Sequence, residues 1–146
     1  MKTYTLRTAT IDDIPCIRSL VIAGRINPTG LDWKRFVVAL DDQAKLIGCG
    51  QIKPHRDGSH ELASIAVDHT WRGRGVARGI IEDLIASKQG PLYLMCRSSL
   101  GTLYEKLGFR ALEFDEMPKY FQRVSKLSSI MEILRKEGET LLVMGR

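Results

Sequence analysis

The residues most able to do chemistry lie between positions 55 and 104. Val67-Asp-His-Thr-Trp-Arg72-Gly73-Arg74-Gly75-Val76-Ala77 is a strand end running through a glycine-rich turn into an apolar-periodic segment. Glycines let a backbone turn tightly with its N–H groups facing one point, and a helix amino end adds about half a positive charge there. Arg72, Arg74 and Arg78 surround that point. The string is an anion cradle, and a phosphate is its natural occupant. Two familiar phosphate loops fail against it. The dinucleotide fingerprint needs a third glycine where Arg78 stands, and a Walker loop needs Gly-Lys-Ser/Thr, which is absent. His55 and His60 flank the turn at 54–60 and could serve as bases. The three cysteines, Cys16, Cys49 and Cys96, have no CxxC spacing and no histidine at zinc-ligand intervals, so no metal is expected.

The elements that must position these groups follow from periodicity. Thr3–Arg7 alternates as a strand, and Thr10-Ile-Asp-Asp-Ile-Pro15 opens a helix that ends near Gly24. The spacing predicts strands over Trp33–Leu40, Lys45–Lys53 and Glu61–Val67 as an antiparallel meander, and a helix over Arg74–Lys88 with Val76, Ala77, Ile80, Ile81, Leu84 and Ile85 on one face. Leu92–Cys96 is a short apolar strand, and the strand-helix-strand passage makes it parallel to 61–67. A helix over Ser98–Leu107, a strand over Phe109–Phe114, an amphipathic helix over 118–136 and a strand over Thr140–Met144 complete an α+β chain.

The cradle resembles the acyl-CoA signature of the GNAT N-acyltransferase superfamily, Arg/Gln-x-x-Gly-x-Gly/Ala, here Arg72-x-x-Gly75-x-Ala77. A second match follows in the right order: Leu103-Tyr104-Glu105-Lys106-Leu107-Gly108-Phe109 looks like the family's carboxy-terminal motif. The resemblance covers roughly Thr3–Phe114. It implies a GNAT fold over residues 1–146 as a single domain: a mixed, mostly antiparallel sheet of about seven strands flanked by helices, with strands 61–67 and 92–96 splayed to form the acyl-CoA cleft and a bulge nearby. It further implies acetyl-CoA as co-substrate, with the pantetheine on Ile65, Ala66 and Val67, and the pyrophosphate on Arg72, Gly73, Arg74, Gly75, Val76 and Ala77. Tyr104 would touch the cofactor and serve as acid for the leaving thiolate. Glu61 stands where family lysine acetyltransferases carry their base.

Chemistry constrains those roles. A carboxylate near pKa 4.3 facing an amine near 10.4 is mismatched by about 8 kcal/mol, so Glu61 needs a raised pKa, a water relay or an amine that arrives neutral. Tyrosine near 10 against a thiol near 8.5 makes full proton transfer uphill by about 2 kcal/mol, which favours hydrogen-bond donation by Tyr104. Two departures from the family pattern stand out. Arg97 occupies the place of an asparagine common seven residues before the tyrosine, and 115–139 is inserted between the last two strands. The inserted stripe Phe121, Val124, Leu127, Met131 and Leu134 serves core packing or a homodimer contact.

Composition bounds the rest. The 146 residues are 44% hydrophobic and 27% charged, enough for a core without disulfides. Twenty-two basic against 17 acidic residues give +5, a lean toward anions that leaves their identity open. Residues 115–146 hold six basic and five acidic side chains, so the inserted helix is no nucleic-acid block. Neither a signal-type apolar segment nor a membrane span is expected, and the cysteine usage fits a cytoplasmic chain. The functional expectation is transfer of acetyl from acetyl-CoA to a primary amine. The competing class is a non-catalytic acyl-CoA sensor.

Overall fold

The computed structural model describes residues 3–146. The strands are β1 (Thr5–Thr8), β2 (Phe36–Leu40), β3 (Leu46–Pro54), β4 (His60–Val67), β5 (Tyr93–Arg97), β6 (Arg110–Ala111) and β7 (Leu141–Gly145). The helices are α1 (Ile14–Ala23), α2 (Val76–Ala86), α3 (Gly101–Glu105), α4 (Lys119–Ser125) and α5 (Ser128–Lys136). One seven-stranded sheet has the order β1-β2-β3-β4-β5-β7-β6. β1/β2, β2/β3, β5/β7 and β6/β7 pair antiparallel, and β4/β5 pair parallel. This is the expected mixed α+β sheet, with its parallel pair where the strand-helix-strand passage puts it.

The chain divides into two compact units, one of residues up to Lys53 with Leu62–Gln89, the other of Pro54–Glu61 with Gly90–Arg146. In the first, α2 turns Val76, Ile80, Ile81 and Leu84 inward, and α2 lies against β2. Ile17 and Val21 of α1 join Phe36, Val38, Cys49 and Ala66 in a buried cluster. Each such fully buried aliphatic or aromatic side chain contributes roughly 1.5–3 kcal/mol, which is why helical propensity need not hold the ten-residue α1 unaided.

In the second unit β7 pairs with β5 over five residues and with the short β6 over two. α3 packs near β6, and α4 and α5 near β7. The parallel contact of β4 with β5 consists of the pair Glu61↔Tyr93.

Four expectations need correction. Trp33–Arg35 is a 3-10 turn and not strand, because Asp32 accepts the Lys34 N–H at 3.1 Å and caps it. The strand expected over Phe109–Phe114 shrinks to Arg110–Ala111. Glu116 accepts the Glu113 N–H at 3.0 Å, and Phe114–Glu116 coils into another 3-10 turn. The segment 98–107 begins as a 3-10 turn and is α-helical only over Gly101–Glu105. Finally, the inserted helix is two helices. The Ser125 hydroxyl donates back to the Gln122 carbonyl at 2.9 Å, and Leu127 then takes an extended conformation (φ −72, ψ 109). The break re-phases the stripe: Phe121 and Leu134 are buried, while Leu127 and Met131 are exposed.

Candidate active site

The glycine-rich turn is built from its backbone. Asp68 accepts from Thr70 N–H at 3.0 Å and Thr70 Oγ1–H at 2.7 Å, which ends β4 in a 3-10 turn and holds the Asp68 carboxyl below its usual range. Gly73 and Gly75 then take φ of +76 and +82, and Gly75 is the N-cap of α2. A Cβ on Gly75 would meet nothing within 4 Å, so the glycine is required by the left-handed turn, and the space above it is open for a ligand. The first N–H groups of an eleven-residue helix follow at once. A Tyr4 hydroxyl donates to the Gly75 carbonyl at 3.1 Å, and Gly79 lets it approach, since a Cβ there would run into that hydroxyl.

The three arginines around the turn differ in what they touch. Arg74 stacks its guanidinium over Trp71 at 4.9 Å from the ring centroid. Arg78 is paired with Glu82 at 2.7 Å, so part of its charge is spent along the helix. Arg72 is exposed. A pocket of about 650 Å³ opens here, lined by Thr3, Tyr4, Arg74, Gly75, Arg78, Gly79 and Glu82.

On β4, Ile65 and Val67 are half-buried and Ala66 is buried. Ser64 just before them has φ +58, a left-handed residue inside a strand. Its hydroxyl accepts from Gln51 Nε2 at 2.9 Å and its carbonyl from the Cys49 thiol at 3.5 Å. These two bonds hold a conformation that serine alone disfavours. Burial pushes the Cys49 thiol up to about 12, so it is an inert core group.

In the second unit, Tyr104 is 8% exposed and stands edge-on to Phe109 at 6.0 Å. Burial, with a smaller effect of Cys96, pushes its hydroxyl up to about 12. It therefore keeps its proton throughout the neutral range, as a hydrogen-bond donor must. Arg97 is paired with Glu137, beyond the end of α5, so its charge already has a partner within the inserted segment.

Glu61 is buried and its Oε1 lies 2.8 Å from His55 Nε2. The His55 ring is stacked on Tyr120 of α4, with centroids 3.5 Å apart and planes 16° apart. Tyr120 escaped the sequence reading because its partner is 65 positions away and no periodicity reports such a contact. Gln51 escaped it too, though a glutamine inside an apolar strand is the kind of residue that could have signalled a buried polar site.

The Acetyltransferase (GNAT) domain family matches residues 32–111, more than half of the chain. The protein belongs to the GNAT acetyltransferase family, as the motifs at 72–77 and 103–109 had indicated. Solved structures agree on the fold. N-acetylglutamate synthase from Neisseria gonorrhoeae, complexed with coenzyme A and N-acetyl-glutamate, superposes with a TM-score of 0.71 at 19% identity over 100% of this chain and 35% of that one. Rv2747 from Mycobacterium tuberculosis, in complex with CoA, gives 0.67 at 22% identity over 95% of this chain and 97% of that one. Ard1 from Thermoplasma volcanium gives 0.68 at 13% identity over 99% and 97%. The chain spans about a third of the length of the two N-acetylglutamate synthase chains it resembles, 35% and 33%. No curated protein matches the sequence significantly. Among the described residues no helix is long and apolar enough to cross a membrane.

Proposed function

We propose that the protein is an acetyl-CoA-dependent N-acetyltransferase that transfers the acetyl group directly to a primary amine in a ternary complex. The observation that carries this is the turn at 72–77 in a chain of this family: two left-handed glycines, open space above them, a helix amino end and exposed arginines. Those groups suit a pyrophosphate in charge and shape. In this reading Arg72, Gly73, Arg74, Gly75, Val76 and Ala77 hold the pyrophosphate, and the backbone of Ile65, Ala66 and Val67 takes the pantetheine arm as a strand would.

Acetyl-CoA supplies an activated thioester. The chain supplies polarisation by the Ile65 N–H, a proton acceptor at Glu61 and a hydroxyl donor at Tyr104. As the C–N bond forms and the C–S bond breaks, one amine proton passes to the Glu61 carboxylate. The leaving thiolate is met by the Tyr104 O–H. A hydroxyl near 12 surrenders its proton reluctantly, so its contribution is chiefly the donated hydrogen bond.

The test is thiol release from acetyl-CoA with a panel comprising spermidine, lysine, glutamate, an aminoglycoside and a short peptide with a free amino terminus. Release dependent on one of these amines supports the reading. CoA binding with no release for any of them would favour the sensor and overturn it.

A further inference from the structure

The inserted segment 115–139 reaches the candidate base. The turn at 55–59 is closed by His55 N–H to the Ser59 carbonyl at 2.9 Å and Gly58 N–H to the His55 carbonyl at 3.0 Å. Asp57 in that turn accepts the Tyr120 N–H at 2.9 Å, tying the turn to the first residues of α4. Tyr120 then covers one face of the His55 ring and Phe121 stands at its edge, 5.9 Å away at 88°. Phe121 is itself fully buried and packs on Tyr93, the residue paired with Glu61 across the strands. The side chains of His55 and Glu61 are 10% and 9% exposed.

We propose that His55 and Tyr120 are positioning residues for the Glu61 carboxylate, so that α4 takes part in the reaction through a stacked ring and one hydrogen bond. The proposal rests on Glu61 being the base. A glutamate side chain has three rotatable bonds, and one well-placed donor at Oε1 selects among their combinations. An imidazole supplies that donor only while its ring plane is held. Stacking on Tyr120 holds it, and the Asp57 to Tyr120 backbone bond holds the tyrosine. Charged and titratable groups around the pair include Asp57 from the turn, which interacts with His55, and Tyr120 from α4, which interacts with Glu61 and is itself influenced by Arg123. A purely structural role would predict that any of these variants costs stability alone.

The experiment compares Glu61→Gln, His55→Leu, His55→Gln, Tyr120→Ala and Tyr120→Phe in the full chain. Thiol release from acetyl-CoA with the panel amine that wild type acetylates is read against pH, beside thermal unfolding and the 15N spectrum of the histidine rings. With three histidines in the chain, the His55 signals can be assigned by substitution. His55→Leu and Tyr120→Ala should lower kcat roughly tenfold to a hundredfold, displace the acidic limb of kcat/KM, and leave the acetyl-CoA KM in place. His55→Gln keeps an N–H donor and Tyr120→Phe keeps the ring, so both should recover most of kcat. The Nε2–H signal of His55 should weaken in Tyr120→Ala. An acidic limb that stays put in His55→Leu and Tyr120→Ala while Glu61→Gln removes it would overturn the positioning role alone. If Glu61→Gln itself behaves as wild type, the base assignment fails and the proposal falls with it. A His55 ring whose signals ignore both Glu61→Gln and Tyr120→Ala overturns it without any acceptor.

Discussion

The turn at 72–77 and the cluster around Glu61 solve opposite problems. The first is open, cationic and made of residues adjacent in sequence, with geometry fixed by two glycine torsions. The second is closed and made of residues up to 66 positions apart, with geometry fixed by ring packing and hydrogen bonds. In the proposed reading an open cradle can be generic, because every CoA brings the same phosphates. A proton-handling site must be particular, since a carboxylate displaced by an ångström is a poor base. The difference teaches where variation should be felt: affinity for CoA at the turn, turnover at the buried residues of the second unit.

That division can be broken by experiment. The largest effect is expected for Tyr104→Phe, which should lower kcat by about 10²–10³ without weakening CoA, as followed by thiol release and calorimetric titration of CoA. A parallel loss of CoA affinity would erase the distinction. Next is alkaline stability. Tyr104 is raised from 10.0 to about 12 in the folded state, so the folded chain holds its proton longer than the unfolded one. Its contribution is complete below pH 10 and is lost as pH rises through 12, a change of about 3 kcal/mol. Cys49 and Cys96, raised from 9.0 to about 12 and about 11, act in the same direction above pH 9. Denaturant titrations from pH 9 to 12 should show a steep fall, and Tyr104→Phe should show a shallower one.

Gly75→Val should sharpen the other side. It forces a β-branched residue into φ +82 at a cost of roughly 1–2 kcal/mol and puts methyl groups into the open space where the proposed pyrophosphate would sit. CoA affinity should fall about tenfold or more, with kcat at saturation little changed. The smallest effect is expected for Asp57→Asn. Asp57 is lowered to about 2, first by the Ser59 hydroxyl and then by the Tyr120 N–H. Its stabilisation is present above pH 3.8 and is lost as pH falls through about 2, so the variant should flatten the acid end of a thermal-unfolding series while shifting Tm only slightly at neutral pH.

How much of this was legible follows from the same contrast. The turn could be read residue by residue, because glycine torsions, a helix start and neighbouring arginines are local facts. So could the parallel pair, since a helix between two apolar strands dictates it. Tyr104 could be placed on its helix but not weighed, since its burial depends on Phe109 and the strands around it. The break after Ser125 was hidden by a stripe that continues across it, and only the Gln122 back-bond and the torsion at Leu127 reveal it. His55 could be named as a candidate beside His60, yet its stacked partner lies on an element whose register the sequence leaves open. Ser64 was invisible, since a serine inside a strand gives no sign of a left-handed torsion.

Arg97 and Glu137 form an ion pair that ties the end of β5 to the inserted segment. An arginine replaces the family's usual asparagine, and the acid that neutralises it sits in the very segment the family usually lacks. Relatives that carry a short hairpin between the last two strands should therefore keep the asparagine, and those that acquire the insertion should show the two charges arriving, and disappearing, together.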